Sequence, residues 1–353
     1  MSAADNSRWS CFFNGYVFLV STTFDSLIRR PARACTVLLS ILLLGACQEQ
    51  TQLRVAVSPW LGFEPVHLAH RLDANQQSPY QLIELTTPSH VVHSLETNQV
   101  GAAFLSLDQA IRVVDRGLDL QLLAITDQSY GADALVSQSH INTSAELQEQ
   151  TIGYESNSLG ALLAADWLEY DGFSAEQFVF VEAKLDEQLR LFRDGDVSAL
   201  LSAGPVKSRL IDNLNGNLLF DSSESPRIYY RALVVRKDLS ESEKLQVKRL
   251  VSDHFAGQQW MFQNLVEASK LIARRTQLYS REVDSEIARI QYYNQEQSES
   301  LINSIDFENY IQNLSQRMHS LGLINNNFAA EDFSFFELEA LDSIKVKAED
   351  GGV

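Results

Sequence analysis

The segment LRVAVSPWLGFEPVHLA, from Leu53 to Ala69, decides the fold because it contains a strand, a turn and the start of a helix. Leu53 to Val57 is a short apolar run of the kind that forms a buried strand. The turn formers and aromatic residues of Ser58-Pro59-Trp60-Leu61-Gly62-Phe63 end that run, and Glu64 to Leu72 predicts a helix. A strand that leads directly into a helix is the repeating unit of α/β proteins.

The alternation of strand and helix continues along the chain. The further predicted elements are a strand at Tyr80–Leu85, a helix at Pro88–Gln99 capped by Thr87, a strand at Gly101–Leu105, a helix at Leu107–Arg116 capped by Ser106 and a strand at Leu120–Ile125. A βαβαβαβ run of this kind predicts a parallel sheet with helices on both faces.

The same pattern restarts after Ser129-Tyr130-Gly131-Ala132-Asp133, as two similar lobes would require. Ile228 to Val235 predicts a strand that returns to the first lobe, and the pattern beyond Ser240 is helical. We therefore predict an α/β protein of two lobes with a helical C-terminal portion. The expected division is residues 51–133 plus 232–330 for lobe 1, 134–231 for lobe 2 and 331–353 for an acidic tail.

The N-terminus resembles a bacterial export signal. Three arginines, at positions 29, 30 and 33, precede an apolar run from Ala34 to Leu44 that is too short to span a bilayer. Leu44-Gly45-Ala46-Cys47 looks like a lipoprotein processing box, in which the cysteine receives the lipid. We expect residues 1–46 to be a signal peptide and Cys47 to carry a lipid that anchors the protein to a bacterial membrane, on its periplasmic side.

Composition and charge exclude several classes of protein. The chain of 353 residues is 45% hydrophobic and carries a formal net charge of −18, so we expect a globular protein with no surface for nucleic acid. Cys11, Cys35 and Cys47 are its three cysteines, and removal of the signal would leave only the last. Disulfides, cysteine nucleophiles and thiolate metal sites are then excluded from the mature protein.

Four junctions between a strand and a helix carry the candidate ligand-binding residues. Free backbone N–H groups and the positive end of a helix dipole converge at such junctions, which suits a small anionic or polar ligand. Trp60 and Phe63 could cover a flat ligand body, and Gly62 would let the backbone approach it. The candidates from the other junctions are Ser89, Ser106, Ser156, Asn157 and Ser158. Burial in the core for the aromatic residues, and helix capping for the serines and Asn157, are the alternative interpretations.

No catalytic motif occurs in the sequence, so we expect no enzyme and no cofactor. A Gly-x-Ser-x-Gly elbow, a Walker loop and a His-Glu-x-x-His motif are all missing. His67 with His70, and His90 with His93, form i, i+3 pairs that could bind a transition metal. Such pairs are also common on solvated helix faces, and we predict no metal site.

Four segments resemble one family in their order and spacing: LRVAVSPWLGFEPVHLA, SYGADALVSQSHINTSAELQEQTIGYESNSLGALLAADWL, LFRDGDVSALLSAGP and QRMHSLGLI. The family is the bacterial solute-binding proteins for nitrate, sulfonates, taurine and the pyrimidine precursor of thiamine. The resemblance covers about Leu53 to Ile324. It implies a type II periplasmic binding fold, in which two crossing strands join two α/β lobes that close on a ligand.

The resemblance also implies partners and roles for particular residues. The ligand would be a small organic anion or a heterocycle, delivered to an ABC permease in the membrane by a protein that we expect to be a monomer. Ser156-Asn157-Ser158-Leu159-Gly160 matches the ligand loop of the second lobe, and Tyr130, Gly131 and Asp133 match the hinge segment. Tyr130 and Asp133 are also candidate ligand contacts: Asp133 could bind an amine of the ligand or fix the hinge, and we favour the hinge. Ser202-Ala203-Gly204-Pro205 departs from the family, where many members place an aromatic or acidic residue before the proline. A sensory binding protein that docks on a membrane receptor is the alternative, because both use the same fold.

Overall fold

The computed structural model describes residues 52–73, 78–157, 159–329 and 334–335. The predicted signal peptide, Cys47, Ser158 and most of the predicted acidic tail lie outside these residues. Within them the chain forms twelve strands and eleven α-helices. None of the described helices is both long enough and apolar enough to cross a membrane.

The strands are β1 (Leu53–Val57), β2 (Tyr80–Glu84), β3 (Ala102–Ser106), β4 (Leu120–Ser129), β5 (Asp133–Ser137), β6 (Thr151–Tyr154), β7 (Val179–Glu182), β8 (Ala199–Ala203), β9 (Asn217–Asp221), β10 (Tyr229–Arg236), β11 (Ile290–Tyr292) and β12 (Ser334–Phe335). They form two sheets. The larger sheet has the order β11-β4-β10-β3-β1-β2, with β12 paired to β4, and the smaller has the order β7-β6-β8-β5-β9. We call the part of the chain built on the larger sheet the first lobe and the part built on the smaller sheet the second lobe.

The helices are α1 (Glu64–Leu72), α2 (Pro88–Glu96), α3 (Leu107–Asp115), α4 (Gly160–Asp171), α5 (Gln188–Asp194), α6 (Gly204–Asp212), α7 (Glu241–Gln263), α8 (Leu265–Thr276), α9 (Ser280–Ile287), α10 (Gln295–Ile302) and α11 (Ile305–Ser320). Several begin where the sequence predicts. The Thr87 hydroxyl accepts a hydrogen bond from the His90 amide at the start of α2, and Ser106 and Gln109 form a capping box on α3.

The prediction of two α/β lobes joined by two crossings is confirmed. The chain leaves the larger sheet at the end of β4, enters the smaller sheet at β5, and returns through β10. The four strands of the predicted βαβαβαβ run, β1 to β4, lie parallel to one another, but the sheet also contains antiparallel strands. Strand β10 lies between β3 and β4 and runs antiparallel to both, because it enters this sheet from the other lobe.

Two further strands occur where the sequence predicted none. Strand β11 lies in the region predicted to be wholly helical and pairs antiparallel with β4, Ile290 opposite Ser129. Strand β12 lies within the predicted tail and pairs parallel with β4, Ser334 opposite Gln121. Both cover an edge strand that would otherwise expose unpaired backbone groups.

Apolar residues of both lobes pack into a continuous cluster. Leu105 on β3 and Leu201 on β8 both belong to it, as do Leu159 and Leu163 around the start of α4. The facing ends of the two sheets are therefore in contact along part of their boundary. The remainder of that boundary encloses the cavity described next.

Candidate functional site

A cavity of about 60 Å³ lies between the two lobes. A single water molecule needs about 10–15 Å³ on the same measure, so this cavity can hold a solute of a few heavy atoms. Its first-lobe lining includes Ser58, Pro59, Trp60, Pro88, Leu105, Ser106, Gln109 and Arg231, and its second-lobe lining includes Asp133, Glu155, Leu159, Gly160, Leu163, Leu185, Gln188, Leu201, Ser202 and Ala203. Several of these residues stand at the strand-to-helix junctions that the sequence singled out.

Trp60 forms a rigid wall of the cavity. Its indole is buried, and Nε1 donates a hydrogen bond of 2.9 Å to Asp127 Oδ1 at the back of the site. The Arg231 guanidinium lies 4.2 Å from the centre of the indole ring, within the range of a cation–π contact. These two contacts hold the ring at one angle, as a wall that positions a ligand must be held.

The cation of the cavity is already paired. Arg231 Nη2 lies 3.0 Å and 2.8 Å from the two carboxylate oxygens of Asp133, and both side chains are buried. Asp133 is the first residue of β5 and Arg231 lies on β10, so this pair joins the two crossings. Its position fits the hinge role that the resemblance implied for Asp133, and the same carboxylate also lines the cavity.

Asp127 is a fully buried carboxyl group behind Trp60. Burial raises its pKa from 3.8 to about 6, although Arg231 and the hydrogen bonds from Trp60 and Thr126 oppose the rise. The unfolded chain loses this proton near pH 4, whereas the folded chain keeps it until about pH 6. The folded state therefore binds more protons in this interval, and the contribution of Asp127 to stability falls as the pH rises through it.

We expect Asp127→Asn to remove this pH dependence. The free energy of unfolding of the wild type relative to the variant should fall by about 3 kcal/mol between pH 4 and pH 7, since the pKa of Asp127 rises by about two units on folding. Urea unfolding of both proteins at several pH values measures this difference. If the free energies of unfolding of the two proteins change by the same amount between pH 4 and pH 7, the expectation is contradicted.

The N-terminus of α2 is occupied by a carboxylate of the other lobe. The Ser89 amide donates a hydrogen bond of 2.9 Å to Glu155 Oε1, and the Leu185 amide donates one of 3.3 Å to Glu155 Oε2. A helix N-terminus favours a negative group, which agrees with the sequence argument. Here that group belongs to the protein itself, so the Ser89 N–H is not free for a ligand.

The second-lobe loop touches α3 through its backbone. Gln109 Nε2 donates a hydrogen bond of 3.0 Å to the Asn157 carbonyl, and Arg112 Nη1 donates one of 3.1 Å to the Ser156 carbonyl. The Ser156 amide in turn donates to Glu182 Oε2 at 3.2 Å. The contacts of Gln109 and Arg112 connect the two lobes beside the cavity.

The structure brings only part of the predicted set to the cavity. Trp60, Ser106 and Asp133 line it. Phe63 is buried against Phe104, with ring centres 5.2 Å apart, so the core interpretation holds for it. The remaining members do not line the cavity: Gly62, Ser89, Tyr130, Ser156 and Asn157.

Gly62 and Tyr130 have other surroundings. A side chain at Gly62 would overlap the Trp60 indole and the Asp127 carboxylate, so this glycine allows close packing behind Trp60. Tyr130 is 61% exposed, and its amide donates to the Arg289 carbonyl between the lobes. Both positions shape the site and the crossing without facing the cavity.

Glu155, Gln188, Ser202 and Arg231 are among the lining residues that were not predicted as ligand contacts from the sequence. Glu155 directly precedes the predicted loop, and Ser202 belongs to the segment that departs from the family. Their position next to or within these segments was the only sequence feature that could have identified Glu155 and Ser202 as ligand contacts. The sequence around Gln188 and Arg231 contains no signal of ligand binding. Gln188 lies on a helix and Arg231 on a strand, and both reach the cavity only because the two lobes pack together.

The histidine pairs do not converge. His67 is half-buried next to Glu84, with Nδ1 3.4 Å from Oε1, and the desolvation of its ring lowers its pKa to about 4. The His90 ring is hydrogen-bonded to Thr86 on the surface. In the part of the chain that the structure describes, no group of three or more His, Cys, Asp or Glu residues could hold a metal ion.

Comparison with known proteins gives structural matches only. A scan of protein-family models and a search of curated proteins gave no match. The alkanesulfonate-binding protein SsuA from Xanthomonas axonopodis pv. citri, bound to MOPS, aligns with a TM-score of 0.66 at 15% identity, over 81% of this chain and 98% of its own. The aliphatic sulphonate-binding protein SsuA from Escherichia coli gives a TM-score of 0.65 at 12% identity, covering 81% and 92% of the two chains.

A third solved structure extends the match to another solute. The periplasmic nitrate-binding protein NrtA from Synechocystis PCC 6803 aligns with a TM-score of 0.62 at 11% identity, covering 85% of this chain and 89% of its own. Sequence identities this low establish a shared fold and leave the ligand open. The fold predicted from the sequence is confirmed: this chain has the two-lobed α/β fold of the periplasmic binding proteins.

Proposed function

We propose that this chain is the solute-binding component of an ABC importer, which captures a small solute between its lobes and delivers it to a membrane permease. The cavity is the observation that carries the proposal, because both lobes contribute its walls. In open α/β sheets a ligand binds beyond the carboxyl ends of the strands. Ser106 at the end of β3, and Ser202 and Ala203 at the end of β8, occupy this position.

Polar contacts across the boundary support closure of the lobes on a solute. On one side, Thr86 donates to Asp186 at 3.0 Å, beside the contact of Ser89 with Glu155. On the other side, the buried Lys207 on α6 forms an ion pair of 2.9 Å with Glu286 on α9. Such contacts can form and break as hinge-joined domains close and open.

Membrane attachment and assembly state stay predictions from the sequence. The lipid on Cys47 and the signal peptide that precedes it concern residues that the structure does not describe. A lipid anchor would keep the protein beside its permease, which agrees with the proposed role. We infer a monomer, since the cavity is complete within one chain.

A thermal-shift screen tests the proposed function. A solute that binds the folded state alone stabilises it by about 2.7 kcal/mol at a concentration of one hundred times Kd, which raises the melting temperature by several degrees. We expect at least one compound to do so in a panel of sulfonates, nitrate, pyrimidines, amino acids and polyamines. Full-length protein that no compound stabilises would contradict the proposal.

A matched pair of variants shows whether the stabilising compound binds in the cavity. Ala203 is half-buried and lines it, so Ala203→Leu should fill the space and abolish the ligand-induced shift. Ala256 is exposed on α7, and Ala256→Leu should leave the shift unchanged. The melting temperature of each variant without ligand shows that it is folded.

A further inference from the structure

Two buried polar atoms of residues that line the cavity lack a hydrogen-bond partner among the described residues. They are the side-chain oxygens Gln188 Oε1 and Ser202 Oγ. Gln188 is 1% exposed and Ser202 is 6% exposed. A buried polar atom without a partner costs free energy, so native proteins retain such atoms mainly where a ligand or water pairs with them.

The backbone fixes the orientation of the Gln188 amide. Its Nε2 donates hydrogen bonds of 3.1 Å to the Ala183 carbonyl and 3.2 Å to the Leu201 carbonyl. Both are acceptors, so the nitrogen must face them and Oε1 must take the other direction. An amide oxygen can only accept, and its ligand partner must therefore be a donor.

The charge around the cavity opposes an anion. The ionisable residues of the lining are one cation, Arg231, and two carboxylates, Asp133 and Glu155. Asp133 already pairs with Arg231, and Asp127 adds a further carboxyl group behind the wall. One helix N-terminus beside the cavity, that of α2, is bonded to Glu155 and is not free for an anion. A negative ligand would thus face carboxylates without a cation of its own.

We propose that the cavity selects a small nitrogen-containing solute that donates N–H bonds, such as an amine, an amidine, a guanidine or an amino-heterocycle. This inference rests on the proposed solute-binding function and narrows its ligand class. Gln188 Oε1 and Ser202 Oγ accept from the donor groups of the solute, and Glu155 stabilises its positive charge. The apolar side chains of Leu159, Leu163 and Leu185 enclose its body.

Three planar solutes of nearly equal size distinguish the effect of ligand charge on binding from the effect of ligand shape. They are guanidinium (cationic), urea (neutral, an N–H donor) and nitrate (anionic, without a donor). Isothermal titration calorimetry on the full-length protein, at millimolar solute and constant ionic strength, should rank guanidinium first, urea second and nitrate last. Methanesulfonate serves as a second anion and should bind no better than nitrate.

Two variants test the assigned groups. Glu155→Gln removes the charge and also one of the two acceptor oxygens that bond the Ser89 and Leu185 amides, so it should weaken the binding of both solutes and weaken guanidinium binding about tenfold more than urea binding. A purely structural effect on closure would weaken both solutes equally. Ser202→Ala should weaken both about threefold to tenfold. Glu187→Gln, at an exposed position beside Gln188, should change neither.

The outcomes separate this inference from the proposed function. Tighter binding of nitrate or methanesulfonate than of urea and guanidinium would overturn the ligand class and leave the solute-binding function standing. Equal weakening of guanidinium and urea by Glu155→Gln would overturn the role of its charge. Failure of these solutes and of the whole screening panel to bind would contradict both proposals.

Discussion

Asp133→Ala is expected to lower the free energy of unfolding by about 3–5 kcal/mol at pH 7. Asp133 and Arg231 form a buried ion pair in which one guanidinium nitrogen contacts both carboxylate oxygens. Their side chains are 5% and 7% exposed. Truncation of the carboxylate would leave a cation buried between the crossings without its partner, and desolvation makes such a group costly.

The large expected loss of stability depends on the burial of this ion pair, so an exposed ion pair serves as the control. Asp194→Ala is the matched control, because Asp194 forms an exposed ion pair with Arg190 and should contribute less than about 1 kcal/mol. Urea unfolding of the three proteins measures both changes. A double variant, Asp133→Leu with Arg231→Met, should recover much of the lost stability, since it removes the unpaired charge. A loss for Asp133→Ala no larger than that of the control would contradict the assigned role.

Gly257→Ala is expected to destabilise the protein by about 3 kcal/mol, although alanine is usually the better helix former by about 1 kcal/mol. Helix α7 crosses α1 at this glycine. A Cβ atom there would overlap the carbonyl oxygen of Pro65, and it would lie 2.8 Å from the Pro65 carbonyl carbon and 3.1 Å from the Ala69 Cβ. The obstacle is backbone, so the helices would have to separate.

Whether Gly257→Ala lowers or raises the free energy of unfolding is the informative result. Ser252→Ala, at an exposed position of the same helix, should change the midpoint of urea unfolding little or raise it slightly. A Gly257→Ala protein that is more stable than the wild type would show that α1 and α7 do not approach this closely.

Local patterns predicted most elements well. The bounds of β1 and α1 agree with the sequence prediction, because each is a short periodic run that ends at a turn or a cap. Strand β4 was predicted to end at Ile125 but continues to Ser129. Its last part includes Thr126 and Asp127, whose polar side chains resemble a loop until their buried partners are known.

The site was less predictable than the fold because its chemistry depends on contacts between the lobes. Ser89 was correctly placed at a helix N-terminus, but the sequence could not show that Glu155 occupies it. Arg231 belongs to a predicted strand, and only the antiparallel insertion of β10 brings it over Trp60. The sequence locates junctions between strands and helices. It does not show which of their residues line the cavity, because the lining depends on how the two lobes pack together.

A crystal structure of the protein with the solute that binds it most tightly tests the central claim most directly. We predict that the solute lies between Trp60 and Gln188, enclosed by both lobes, with a donor atom within hydrogen-bond distance of Gln188 Oε1. A solute bound outside this cavity, such as in the groove beside Arg227 and Tyr310, would contradict it.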